Sequence, residues 1–121
     1  MEASERTVQY HRTAAGKFPF KDWLDRITDE RALAAVDARI GRFRGGNLGK
    51  SEPIGGGASE NKIDYGPGYR LYYGIDGKDI VILLLGGDKS TQNADIKTAQ
   101  GYWEEYKSRK KPLKLRQKGK K

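Results

Sequence analysis

Cysteine is absent from these 121 residues, and histidine occurs once, at His11. Without thiols the chain can form neither a disulfide nor a thiolate metal site, which fits a reducing cytoplasm. A single imidazole leaves a histidine-rich zinc site or a Ser-His-Asp triad without its usual members. No run of apolar residues is long enough to span a bilayer, and the charged N-terminal residues lack the apolar core of a signal peptide. The expectation is one cytoplasmic domain with no membrane partner.

Acids are missing where bases crowd. Residues 107–121 (KSRKKPLKLRQKGKK) hold nine Lys or Arg and no Asp or Glu. Of the 24 bases, 15 remain for residues 1–106, against all 16 acids, so the body is close to neutral despite a net charge of +8. The chain thus divides into a domain over 1–106 and a basic tail over 107–121. Such a tail either draws polyanions through counterion release or simply keeps the chain solvated.

Periodicity supplies the elements. Residues 7–13 alternate as a first strand, with His11 one of its residues. Pro19 suits the first turn of a short helix carrying Phe20, Trp23, Leu24 and Ile27. Thr28-Asp29 offers an N-cap to a second helix, whose apolar stripe is Leu33, Val36, Ile40 and Phe43. Residues 45–57 are glycine-rich and read as a loop with a short extended piece near Glu52. Two hairpin arms follow, 59–65 and 69–75, closed by Gly66-Pro67-Gly68. The run Ile80–Leu85 suits a central strand buried on both sides. A last helix from about Asn93 places Ile96, Ala99, Trp103 and Tyr106 on one stripe, where the aromatics read as core.

The hairpin raises a chemical question. Its first arm puts Lys62 and Asp64 on one face, and its second puts Arg70 and Tyr72 there, while Ile63, Tyr65, Tyr69, Leu71, Tyr73 and Ile75 fall on the other. A three-residue loop sets Tyr65 opposite Tyr69, Asp64 opposite Arg70 and Lys62 opposite Tyr72, with Glu60 extending the charged face. The greasy face packs under the helices and the charged face stays free. Lys89 follows the central strand at the same edge.

Four segments, PFKDWLDRI, the basic helix ending GNLG, SEPIGGGASENKIDYGPGYRLYYG and ILLLGGDKSTQNADIKTA, together resemble the RelE/ParE toxin superfamily, in its HigB-like, phage-related addiction-module branch. The resemblance covers roughly residues 7–106. It implies an α+β, RelE-like fold of order β-α-α-β-β-β-α: a curved antiparallel sheet, two N-terminal helices on one side and a C-terminal helix. It also implies a ribosome-dependent endoribonuclease that cuts messenger RNA in the ribosomal A site and so inhibits translation. Neither metal nor cofactor is implied. The partner implied is a helix-turn-helix antitoxin of HigA type.

Attack of a 2′-hydroxyl on its own phosphate needs a base, a stabiliser of phosphorane charge and an acid for the leaving 5′-oxygen. By resemblance, Arg70 is the phosphate clamp and transition-state stabiliser, and Lys62 binds or orients the RNA. Lys89 protonates the leaving group or contacts the phosphate. Glu52 is either a general base or a residue that holds its glycine loop. Tyr72 stacks a base. The chain departs from relatives that carry a histidine after the central strand. Two other readings are a ParE-like gyrase inhibitor, which binds protein and cuts nothing, and a non-toxic relative that binds nucleic acid through the tail.

Overall fold

A computed structural model describes the backbone of residues 5–119 and the side chains of residues 5–110. Helix α1 (Pro19–Asp25) starts on Pro19, whose missing N–H falls among the first-turn donors that a helix leaves unpaired anyway. Helix α2 (Glu30–Arg44) is capped by Asp29, whose Oδ1 accepts the Arg31 amide at 2.9 Å and the Ala32 amide at 3.4 Å. Its buried stripe is Ala32, Val36, Ile40 and Phe43, with Leu33 only half-buried. Helix α3 (Gln92–Gly119) follows a short 3-10 turn over Lys89–Thr91. Among the described residues no helix is long and apolar enough to cross a membrane.

The fold is α+β. Strands β1 (Thr7–Tyr10), β2 (Ser51–Gly55), β3 (Ala58–Ile63), β4 (Tyr69–Asp76) and β5 (Ile80–Gly87) form one sheet in the order β1-β5-β4-β3-β2. Two features correct the expectation. The extended piece at Glu52 is a full edge strand, so four strands follow the helices rather than three. The sheet is also mixed, because β1 runs parallel to β5 with Thr7 beside Ile80 and Tyr10 beside Leu83. The apolar β5 needs a neighbour on each edge, and the long connection through two helices and three strands permits a parallel one.

Both faces are covered. On one, Phe20 and Trp23 of α1 and Val36, Ile40 and Phe43 of α2 pack on Ile63, Leu71, Tyr73, Val81 and Leu83. On the other, Ala99 and Trp103 of α3 pack on Ala58, Tyr72, Ile82 and Leu84. Two glycines admit the tryptophans. A Cβ on Gly86 would lie 2.0 Å from the Trp23 ring, and one on Gly74 would lie 2.5 Å from the Trp103 ring.

Helix α3 continues without interruption past residue 106. Lys107 Nζ donates to the Gly56 carbonyl at 2.9 Å, Lys110 pairs with Asp76, and Arg109 donates to the Arg12 carbonyl. The first cations of the expected tail are thus engaged with the body. The side chains of the other six lie outside the described residues.

Candidate functional site

The hairpin turn sets the geometry of the site. Tyr65 N–H donates to the Ile63 carbonyl and Gly68 N–H to the Tyr65 carbonyl, each at 3.0 Å. Gly66 and Gly68 take φ of +54° and +80°, which side-chain-bearing residues avoid. The loop therefore takes in residues 64–68, and Lys62 faces Arg70, Ile63 faces Tyr69 and Glu60 faces Tyr72. The pairs expected from a three-residue loop do not form. Asp64 instead lies 3.4 Å from Lys62.

Arg70 is held from two sides. Its Nη1 donates to the Gly68 carbonyl at 2.7 Å, and its Nε lies 3.1 Å from Glu60 Oε2. That Nε–H has no hydrogen-bond partner, so the contact with Glu60 is ionic. Only 6% of Arg70 is exposed. Glu60 is the hub of a polar cluster, for its Oε2 also accepts Gln92 Nε2 at 2.8 Å and the Tyr72 hydroxyl at 3.3 Å. Burial first, and then the charge on Glu60, push the Tyr72 phenol far above its ordinary pKa, so it stays a neutral donor. A half-buried carboxylate with these partners fixes the guanidinium in one orientation.

Lys62, Arg70 and Lys89 line one open cleft of about 360 Å³, together with Asp64, Tyr65 and the Gly66-Pro67-Gly68 turn. Lys89 is delivered by the turn after β5. Asp88 Oδ1 accepts the Ser90 amide at 2.9 Å and the Ser90 hydroxyl at 2.6 Å, which pins the start of that turn. Beside Arg70 in the sheet stands Gly87, where a Cβ would lie 2.0 Å from Asp95 Oδ2. The small residue lets the start of α3 close over the strand end. Cations from three elements thereby converge around one hollow, with Asp64 its sole lining acid.

Two expected site residues stand elsewhere. Tyr72 is fully buried under α3 and cannot stack an RNA base. The charged face is not free, because α3 needs a surface for its own apolar stripe. Glu52 sits exposed on edge strand β2, opposite Glu60, and does not line the cleft. Three residues take their places. Glu60 orients Arg70, Asp64 is the carboxylate in the hollow, and half-buried Tyr65 is the aromatic on its wall. The Tyr65 hydroxyl donates to Asp29 Oδ2 at 3.1 Å, which fixes its ring.

His11 lies just past β1 and is buried. Its Nε2–H donates to Glu105 Oε1 at 2.9 Å, and its ring lies 5.4 Å from that of Tyr102. Burial lowers its pKa, outweighing the opposing pull of Glu105. It ties β1 to α3 and takes no part in the cleft. Among the described residues no three His, Asp or Glu side chains are grouped to hold a metal ion.

No family model matches the chain, and no solved structure matches it. It is 46% identical over 81 residues to an uncharacterized protein of Haemophilus influenzae, an alignment spanning 67% of this chain and 82% of that protein. At that identity and coverage, the chain belongs to the same family as the Haemophilus influenzae protein.

Proposed function

We propose that the chain is the toxin of a toxin–antitoxin pair, a RelE-like, HigB-branch endoribonuclease that cuts messenger RNA on the ribosome without a metal. One observation carries the reading: the hollow formed by Lys62, Arg70 and Lys89, with Arg70 preset by Glu60. A phosphate seated there meets a guanidinium and two ammonium groups. Those charges oppose the negative charge that grows on the phosphorane oxygens. In this reading Asp64 takes the 2′-hydroxyl proton and the oxygen attacks the adjacent phosphorus, forming a 2′,3′-cyclic phosphate. The P–O5′ bond breaks, and Lys89 gives its proton to the departing 5′-oxygen. An alkoxide is far more basic than an amine, so a lysine suffices as acid at this step. Tyr65 takes the stacking role that buried Tyr72 cannot fill. The proposed partner is a helix-turn-helix antitoxin that covers the cleft or blocks access to the ribosome. The proposed compartment is the cytoplasm.

A second reading has its own support. An arginine 6% exposed and paired to a half-buried glutamate is also how a structural arginine looks. In that case the chain is a ParE-like inhibitor of gyrase, and the hollow is only a surface.

Expression in cells lacking the antitoxin separates the two. Lys89→Ala removes an exposed ammonium without touching the core. Arg70→Lys keeps a cation beside Glu60 but loses the planar fork. Arg70→Ala is avoided, because breaking a buried ion pair costs about 3–5 kcal/mol and confuses unfolding with inactivity. New 5′ ends at fixed codon positions, lost in both folded variants, are expected. Growth arrest that persists in both variants without message cleavage overturns the nuclease and favours the gyrase reading.

A further inference from the structure

Beside the hairpin cleft lies a second groove of about 420 Å³, lined by Arg39, Arg42, Gly49, Lys50, Lys62 and Asp64. Lys62 and Asp64 line both, so the two hollows are neighbours that share one wall. The new groove brings four cations against one acid, from α2, from the loop after it and from β3. Among the described residues, Arg39, Arg42 and Lys50 form no ion pair, in contrast with Arg70.

The groove is built rather than incidental. Asn61 is fully buried, and its Nδ2 donates to the Leu48 carbonyl at 3.0 Å and to Ser51 Oγ at 2.9 Å. Its Oδ1 accepts from Arg39 Nη1, which also donates to the Lys62 carbonyl at 2.8 Å. One buried amide thus fixes the helix that carries Arg39 to the loop that carries Lys50. Burial first, and then the neighbouring Arg42, pull the Arg39 pKa below its ordinary value against the opposing charge of Asp64. Such an arrangement is stabilised when an anion enters it.

We infer that this groove holds the phosphates of a single-stranded RNA next to the one seated between Lys62, Arg70 and Lys89, so that the strand tracks from cleft to groove through Lys62. The inference extends the nuclease reading, in that the RNA is its substrate, but it concerns binding alone and is tested by binding alone. Arg42 and Lys50 are exposed, so Arg42→Gln with Lys50→Gln leaves the core and the cleft residues in place.

The full chain is titrated with 2′-O-methyl oligoribonucleotides, which cannot be cut by 2′-hydroxyl attack, at two lengths: three nucleotides, enough to fill the cleft, and twelve, enough to continue beyond it. The basic segment after residue 106 contributes equally to wild type and variant, so their difference reports the groove. Each phosphate contact to a single strand contributes about 0.7 to the slope of log affinity against log salt. Loss of two contacts should lower the slope for the twelve-mer by about 1.4 and its affinity roughly 20-fold at 0.1 M salt. Affinity for the three-mer should not change. Equal slopes for wild type and variant on the twelve-mer overturn the inference, as does a groove-dependent preference for duplex DNA over the RNA. Message cleavage with equal slopes leaves the nuclease standing and removes the groove. Groove-dependent RNA binding in a chain that cuts nothing does the reverse.

Discussion

Under α1 and α2 the sheet presents hydrocarbon and aromatic rings, broken by the buried amide of Asn61 beneath Arg39, whereas under α3 it begins with Ala58, Ile82 and Leu84 and then turns polar at Glu60, Arg70 and Tyr72. Further along the same helix, Glu105 reaches His11 and Tyr106 donates to Asp76 at 2.5 Å. Apolar packing is sensitive to volume but carries no direction, while hydrogen bonds and ion pairs fix orientation. One face therefore supplies chiefly stability, and the other supplies both stability and aim. The charged cleft opens at the boundary where apolar packing under α3 gives way to the Glu60 cluster.

Substitutions on the two faces should separate these contributions. Phe43→Ala empties a fully buried site on the apolar face and should cost about 3–5 kcal/mol in denaturant unfolding. On the proposed nuclease reading, RNA affinity per folded molecule should stay unchanged. A loss of affinity beyond the unfolded fraction would show that the apolar face also aims the cleft. Tyr72→Phe on the other face removes one hydroxyl from Glu60 and should cost roughly 0.5–1.5 kcal/mol. Its larger effect should be on orientation, read as a fall in affinity for the short oligoribonucleotide while melting changes little. Equal affinity would demote the Glu60 cluster to packing.

The smallest expected effect is a pH dependence. The folded His11 has a pKa below its ordinary 6.5. Between the two values the unfolded chain holds more protons, so stability rises with pH through that window. The His11 contribution is complete above about 6.5 and is lost as acid approaches the folded value. Glu105, lowered first by the Ala14 amide, adds a loss of the same sign as pH falls below its ordinary 4.5. Melting midpoints of wild type should fall as the pH drops below 6.5, and those of His11→Gln should fall less. Identical curves would show that the β1 anchor does not titrate in this range.

Much of the scaffold is legible in the sequence. Pro19, the Asp29 cap and the stripes of α2 and α3 follow from 3.6-residue spacing, and unbroken apolarity marks β5 as central. Register is not legible in the same way. Moving β3 two residues along β4 exchanges the Asp64–Arg70 pair for Lys62–Arg70, yet leaves each residue on the same face. Side-chain alternation cannot distinguish the two, and only the five-residue loop does. The covered face was missed for another reason. The sequence shows that α3 has an apolar stripe but not which surface receives it. Its signal lay in Ala58 and Gly74, small residues on the face of Tyr72 that make room for Trp103. Of the candidate residues, Lys62, Arg70 and Lys89 meet, because strand alternation and proximity to the end of β5 both survive a two-residue slip. Glu52 and Tyr72 do not, because their placement depended on an open face.

Strand β5 stands between β1 and β4, yet it is the last strand to be synthesised. Thr7 must wait for Ile80 before it has a partner, and β4 likewise lacks its inner neighbour until then. Pairing across so much intervening chain belongs to slow, late-committing folding. A polypeptide released before Gly87 would contain Lys62 and Arg70 but lack the strand and turn that bring Lys89 beside them. Interrupted translation of this chain therefore yields no complete cleft: its three cations come together only once the message has been read past Lys89.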